Sequence, residues 1–125
     1  MARWLFKQEP ECYSFADLQR DGETVWDGVN NALALKHLRQ VKVGDRILLY
    51  HTGKEKAIVG EMKAVAAADG IVTVAPVKKL KRAITLAEIK ADEAFAQWEL
   101  VRISRLSVMP VSDDIWKRLT AMASG

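Results

Sequence analysis

Residues 61–77 read EMKAVAAADGIVTVAPV, and one dipeptide inside them, Asp69-Gly70, decides the fold class. Asp-Gly between two β-prone runs is the signal of a two-residue type I′ turn. Both central residues of that turn take positive φ, which Asp and Gly tolerate. The turn predicts that Glu61–Ala68 folds back on Ile71–Val77, with Ala68 opposite Ile71 and Ala66 opposite Thr73. Both faces of this hairpin are fairly apolar, which suits a closed or heavily covered sheet better than an open one.

Further strands and helices follow on each side. Ile58, Met62, Ala64 and Ala66 alternate with Glu61 and Lys63 between them, so the first arm of the hairpin is a strand. Upstream, Gly44-Asp45 is a turn that opens a β-rich run over Arg46–His51. Before it, a helix starts after Asn30 or Asn31 and runs to about Gln40, with Ala34, Leu35 and Leu38 on its apolar side. Ser14 opens an earlier helix, with Asp17 as an acidic capping-box partner and Tyr13 and Leu18 at staple spacing. Asp21-Gly22 ends it. Arg3–Lys7 is an apolar-rich first strand, stopped by Pro10. Downstream, Thr85-Leu86-Ala87-Glu88 is a full capping box, with Ile84 and Ile89 as its staple. A second turn falls near Asp92–Trp98. Ser104–Val111 is extended and is expected to pair near the first strand. Ser112 caps a last helix, in which Asp113 and Asp114 complement the dipole and Ile115, Leu119 and Met122 form the buried stripe. The tally is about five strands and four short helices. No long crossover helices separate the strands, which argues against a doubly wound parallel sheet. The expected fold is α+β: a small, mainly antiparallel β-barrel decorated by short helices, in one domain over residues 1–125.

Composition limits the function classes. The 125 residues are half hydrophobic and 28% charged, with one cysteine and a net charge of +3. A chain of this size buries roughly two-thirds of its unfolded surface, enough for a core without staples. No apolar run is long enough for a membrane span, and the N-terminus lacks the apolar core of a secretory signal. The lone Cys12 points to a reducing compartment, read here as cytoplasmic. Cys12, His37 and His51 lack metal-ligand spacing, and the scattered glycines form no phosphate-binding loop. Neither a metal nor a cofactor is expected. The basic residues are uneven. Lys78, Lys79, Lys81 and Arg82 form the densest cluster, either a solvated strand end and loop or a phosphate-contacting patch.

Of the four tryptophans, Trp4 and Trp116 read as core and Trp98 is ambiguous. Trp26 precedes an Asp-Gly turn outside any regular apolar pattern. It can either pack or present a ring to a flat ligand.

Taken together, WLFKQEP (4–10), the Tyr13-Ser14 helix start, WDGVNN (26–31), VKVGDRILLYHTG (41–53), IVGEMKAV (58–65), ITLAEIKAD (84–92) and RLSVMPVS (105–112) resemble the EVE domain of the PUA-like superfamily. The segments occur in the family's order and span nearly the whole chain. The resemblance implies a PUA-like barrel and a non-catalytic reader of a modified base, such as methylated cytosine or adenine, in DNA or RNA. The family is similar to the YTH domains that bind methylated adenine. It points to Lys7, Gln8 and Glu9 after the first strand, to Trp26, Asn30 and Asn31, to Tyr50 and His51, and to Arg105 and Ser107. A pocket is expected between Trp26 and Tyr50. The departures are Asn30 where the family usually has Arg, Gln8 where it usually has Ser, and Ala32 and Leu35 where its longer pattern has Tyr and Arg. The expected partner is nucleic acid carrying a modified base, bound by a monomer without membrane contact. Two other readings stay open: a small nucleotide- or base-processing enzyme using Glu9 or His51, and a protein-interaction module on a barrel scaffold.

Overall fold

Asp69 and Gly70 take φ of 53° and 81°, the two positive values that a type I′ turn requires. Around them the computed structural model, which describes residues 2–124, sets the elements in a simple order. These are β1 (Arg3–Gln8), α1 (Phe15–Asp21), β2 (Thr24–Trp26), α2 (Ala32–Leu38), β3 (Arg46–His51), β4 (Ala57–Ala68) and β5 (Ile71–Thr85). They are followed by α3 (Leu86–Ala91), a 3-10 turn (Glu93–Phe95), α4 (Glu99–Arg102), β6 (Val108–Pro110) and α5 (Asp113–Ser124). In the central hairpin Ala68 lies opposite Ile71 and Ala66 opposite Thr73, as the turn predicts.

All the strands join one sheet in the order β2-β5-β4-β3-β1-β6. Every pairing is antiparallel except β1 with β3. The barrel is a half-barrel, because β2 and β6 remain as edges. It is nevertheless curled. Phe6 on β1 and Trp26 on β2 touch, with ring centroids 5.3 Å apart. Four strand steps separate them in the sheet, roughly 19 Å if it were flat.

The caps act where the sequence places them. Ser14 and Asp17 close a reciprocal capping box on α1, and Gly22 ends that helix at φ 82°. Thr85 and Glu88 do the same for α3, and Ser112 Oγ accepts from Ile115 N (3.2 Å) at the start of α5. Trp4 is buried, and its indole N–H donates to Asp45 Oδ2 at 2.9 Å. The Asp45 side chain also accepts from the backbone of Ala2 (3.1 Å) and Lys42 (2.9 Å), so both oxygens of this buried group are bonded.

Three expectations are corrected. The extended run at Ser104–Val111 shortens to β6 at Val108–Pro110, because residues 104–105 turn before they can pair. The buried stripe of α5 is Trp116, Leu119 and Ala123, while Ile115 and Met122 are half-buried. The helix is thus rotated toward its tryptophan, which also carries the Arg3 guanidinium 5.0 Å from its ring centre. The basic cluster belongs to β5 itself. Lys79 lies opposite Gly60 and Ile84 opposite Ile58, so residues 80–83 bulge against the single residue Val59.

Candidate nucleic-acid interface

β1 and β3 run parallel and end together, which brings Lys7 beside Tyr50 and Gln8 beside His51. The Ser107 carbonyl accepts from Lys7 N at 2.9 Å, so the loop before β6 reaches the same end. Five residues expected from sequence therefore meet there: Lys7, Gln8, Tyr50, His51 and Ser107. Lys7 is half-buried. Its ammonium donates to Ser104 O (2.9 Å) and lies 5.6 Å from the Tyr50 ring centre. Burial pulls the Lys7 pKa below its ordinary value and pushes that of the Tyr50 phenol up. Arg105 is exposed on the same loop.

His51 has a structural task that the sequence does not show. It is buried at 6% exposure. Its Nε2 accepts the Phe15 backbone N–H at 3.1 Å, so that nitrogen carries no proton. Nδ1 is then the protonated nitrogen and donates to Glu55 Oε1 at 2.9 Å. Both ring nitrogens are committed. His51 holds the first residue of α1 in place, and α1 carries the loop of Cys12 and Tyr13 with it.

In place of a pocket between Trp26 and Tyr50, Gln8 opens onto a polar cleft of about 240 Å³ lined by Cys12, Tyr13, Thr24, Trp26 and Asp27 and not by Tyr50. The Trp26 ring both lines this cleft and packs on Phe6, with only 5% of the residue exposed. Gln8 Oε1 accepts from Glu9 N at 2.9 Å, which leaves its NH₂ group for the cleft. Glu9 is exposed, and its Oε2 lies 3.7 Å from the Cys12 sulfur. Asn31 Oδ1 accepts from Ala34 N at 3.0 Å as the cap of α2, with Asn30 exposed beside it.

The sequence missed Cys12, Tyr13, Thr24 and Asp27 as lining residues. Tyr13 and Asp27 carried a signal, since each lies inside a segment already singled out. Cys12 and Thr24 carried none, because only the fold sets β2 against the loop after β1. Desolvation and the carboxylates of Glu9 and Glu11 raise the Cys12 thiol pKa, the opposite of what a nucleophile needs.

The basic cluster lies elsewhere. Trp26 pairs with Val72, and Lys78 is six residues further along β5, roughly 20 Å away. Lys78, Lys79 and Lys81 are exposed and make no salt bridge among the described residues. Arg82 is engaged by Glu88 Oε2 (2.7 Å) and Met122 O (3.2 Å). Among the described residues, no three His, Cys, Asp or Glu side chains are grouped to hold a metal. No helix is long and apolar enough to cross a membrane.

Comparison with known proteins extends this geometry. The chain superposes on Rpa0253 of Rhodopseudomonas palustris, solved by NMR, with a TM-score of 0.92 and 34% identity over 99% of this chain and 94% of that one. Human THYN1, solved in complex with DNA containing 5-methylcytosine, gives a TM-score of 0.92 at 26% identity over 100% and 99% of the two chains. The human thymocyte nuclear protein 1 sequence is 38% identical over 76 residues, which is 51% of this chain. The match spans about a third of that relative's length, 34%. An ASCH protein from Zymomonas mobilis, at 14% identity and a TM-score of 0.58, shares the fold alone. The family model described as EVE domain matches residues 2–122, and the chain belongs to the EVE domain family.

Proposed function

We propose that this chain is a non-catalytic nucleic-acid-binding domain that holds a modified base at the cleft between the end of β1 and β2. One observation carries the reading: human THYN1, with the same fold along its whole matched length, was solved with DNA containing 5-methylcytosine. The cleft supports it. Its 240 Å³ is below the roughly 300–1,000 Å³ of drug-sized sites, a size suited to one flat group. In this reading Trp26 offers the part of its ring that lines the cleft, the NH₂ group of Gln8 faces the base edge, and Asn31 approaches from the start of α2. Lys7, Glu9, Asn30 and Ser107 flank the opening, Arg105 and the lysines of β5 meet phosphates, and Tyr50 and His51 support the site from beneath. The raised Cys12 thiol pKa and the committed His51 nitrogens favour binding over catalysis. The domain would act as a monomer in a reducing compartment, where the exposed Cys12 stays a thiol.

The test is titration of matched duplexes carrying 5-methylcytosine, N6-methyladenine or no mark, read by fluorescence anisotropy. A buried methyl contributes about 0.8 kcal/mol, so the preferred mark should bind about fourfold tighter than its control. Modified nucleosides incubated with the protein should be recovered unchanged. Equal affinity for all duplexes would end the modified-base reading, and turnover would end the non-catalytic one.

A further inference from the structure

A second cavity, of about 140 Å³, lies between the bulged half of β5 and α5. Its lining is mostly apolar, with Leu48, Leu80, Ile84, Leu119 and Ala123, and Glu61, Thr120 and Ser124 add polar groups. It shares no residue with the cleft at Trp26. The bulge makes the opening. Four residues of β5 stand against Val59 alone, so the strand bows away from β4 and leaves space above Leu48 that α5 does not fill.

Lys78, Lys79 and Lys81 line the same cavity. Their stems extend the apolar wall, while the ammonium groups seek water or an anion at the mouth. Among the described residues, the one carboxylate that lines the cavity is not free to neutralise them. Glu61 is buried and held by Arg46 at 2.8 Å, and Glu88 is taken by Arg82 at 2.7 Å. The result is a mostly apolar hole whose lining includes three lysines that make no salt bridge among the described residues. An apolar cavity of about 150 Å³ accepts a benzene-sized molecule, so this one has room for a body of about six carbons.

We propose that the cavity binds a small amphipathic carboxylate, with its apolar body against Leu80, Leu119 and Ala123 and its carboxylate on the lysines of β5. The site shares no lining residue with the cleft at Trp26, and duplex phosphates on the same lysines would compete with the carboxylate.

Hexanoate is the probe, titrated into the full chain and followed by amide chemical shifts. Hexanol supplies the apolar body alone, and acetate the charge alone. Saturable shifts are expected at Leu48, Leu80, Leu119 and Ala123 with hexanoate, at least about tenfold weaker with hexanol for want of the charge-assisted contact. Thr120→Trp, at an exposed position of α5 on the cavity wall, should block binding without altering charge. Lys79→Glu with Lys81→Glu should weaken it about tenfold or more by removing the same contact. Far-UV circular dichroism checks that both variants fold. No saturable shift, shifts centred on Trp26, or undiminished binding to the charge-reversed protein would overturn the proposal. So would hexanoate binding that survives Thr120→Trp, since the ligand would then sit outside the cavity.

Discussion

At the scale of the residue, Trp26, Asn31 and His51 each have a structural task, and of the three Trp26 lines the cleft. Trp26 has 5% of its surface exposed and rests on Phe6, so Trp26→Ala opens a cavity in the core. The expected loss is about 3–5 kcal/mol of stability, measured by denaturant titration. Trp26→Phe keeps most of the packing while withdrawing the indole edge. It should stay folded and bind a modified duplex more weakly, and full affinity in that variant would remove Trp26 from the site. Asn31→Ala forfeits a helix cap, about 1 kcal/mol. If its NH₂ also meets the base, affinity falls as well, and comparing melting with binding separates the two effects. His51→Ala leaves the buried Phe15 N–H without its acceptor, a cost of about 1–3 kcal/mol. Sequence could place His51 at a strand end. It could not show that both ring nitrogens are used internally, because Phe15 and Glu55 reach it only in the folded chain.

At the scale of the element, local signals were legible and long-range closure was not. Asp69-Gly70, the capping boxes at Ser14 and Thr85, and the cap at Asn31 depend on contacts within four residues, and each lies where the sequence sets it. The parallel β1–β3 pairing, the bulge at residues 80–83 and the rotation of α5 depend on partners far along the chain. Gly60 shows the difference. In sequence it is one glycine among seven; in the fold a Cβ there would overlap the Phe15 ring. Gly60→Ala is expected to cost about 1–3 kcal/mol by overpacking. Adding Phe15→Leu should recover part of that in a thermal melt, and no recovery would place the strain elsewhere. The α3 cap carries a pH signature. The Arg82 guanidinium, then the Thr85 backbone N–H and hydroxyl, hold the Glu88 carboxyl below its ordinary value of 4.5. A depressed folded pKa means that the ionised form is stabilised by folding. This stability is fully present above about pH 4.5 and is lost as pH falls through the lower folded value. Glu88→Gln should flatten that part of the melting-temperature profile, and an unchanged acid limb would assign it to other carboxylates.

At the scale of the whole molecule, the half-barrel separates two surfaces that the sequence could not order in space. The cleft at Gln8 and Trp26 lies where β1 and β2 meet across the curl, and the lysines stand roughly 20 Å further along β5. That distance is about six base pairs of B-form duplex, from two charges for each 3.4 Å step. If the duplex lies along β5, a modified base seated in the cleft with only three or four flanking pairs cannot reach Lys78, Lys79 and Lys81. One with ten flanking pairs can. Each phosphate contact adds about 0.9 to the slope of log affinity against log salt, so three contacts add about 2.7. Replacing the three lysines by Ala should therefore reduce the slope by about that amount on the long duplex and leave the short one unchanged. Preference for the mark should persist in both, because phosphate contacts position a duplex without reading it. Arg82 was expected in the same cluster, but its guanidinium already bonds Glu88 and Met122 O. Arg82→Ala should thus change stability more than slope. An unchanged slope for the triple variant on the long duplex would free β5 of any nucleic-acid role and turn the duplex toward Arg105 at the other end of the sheet.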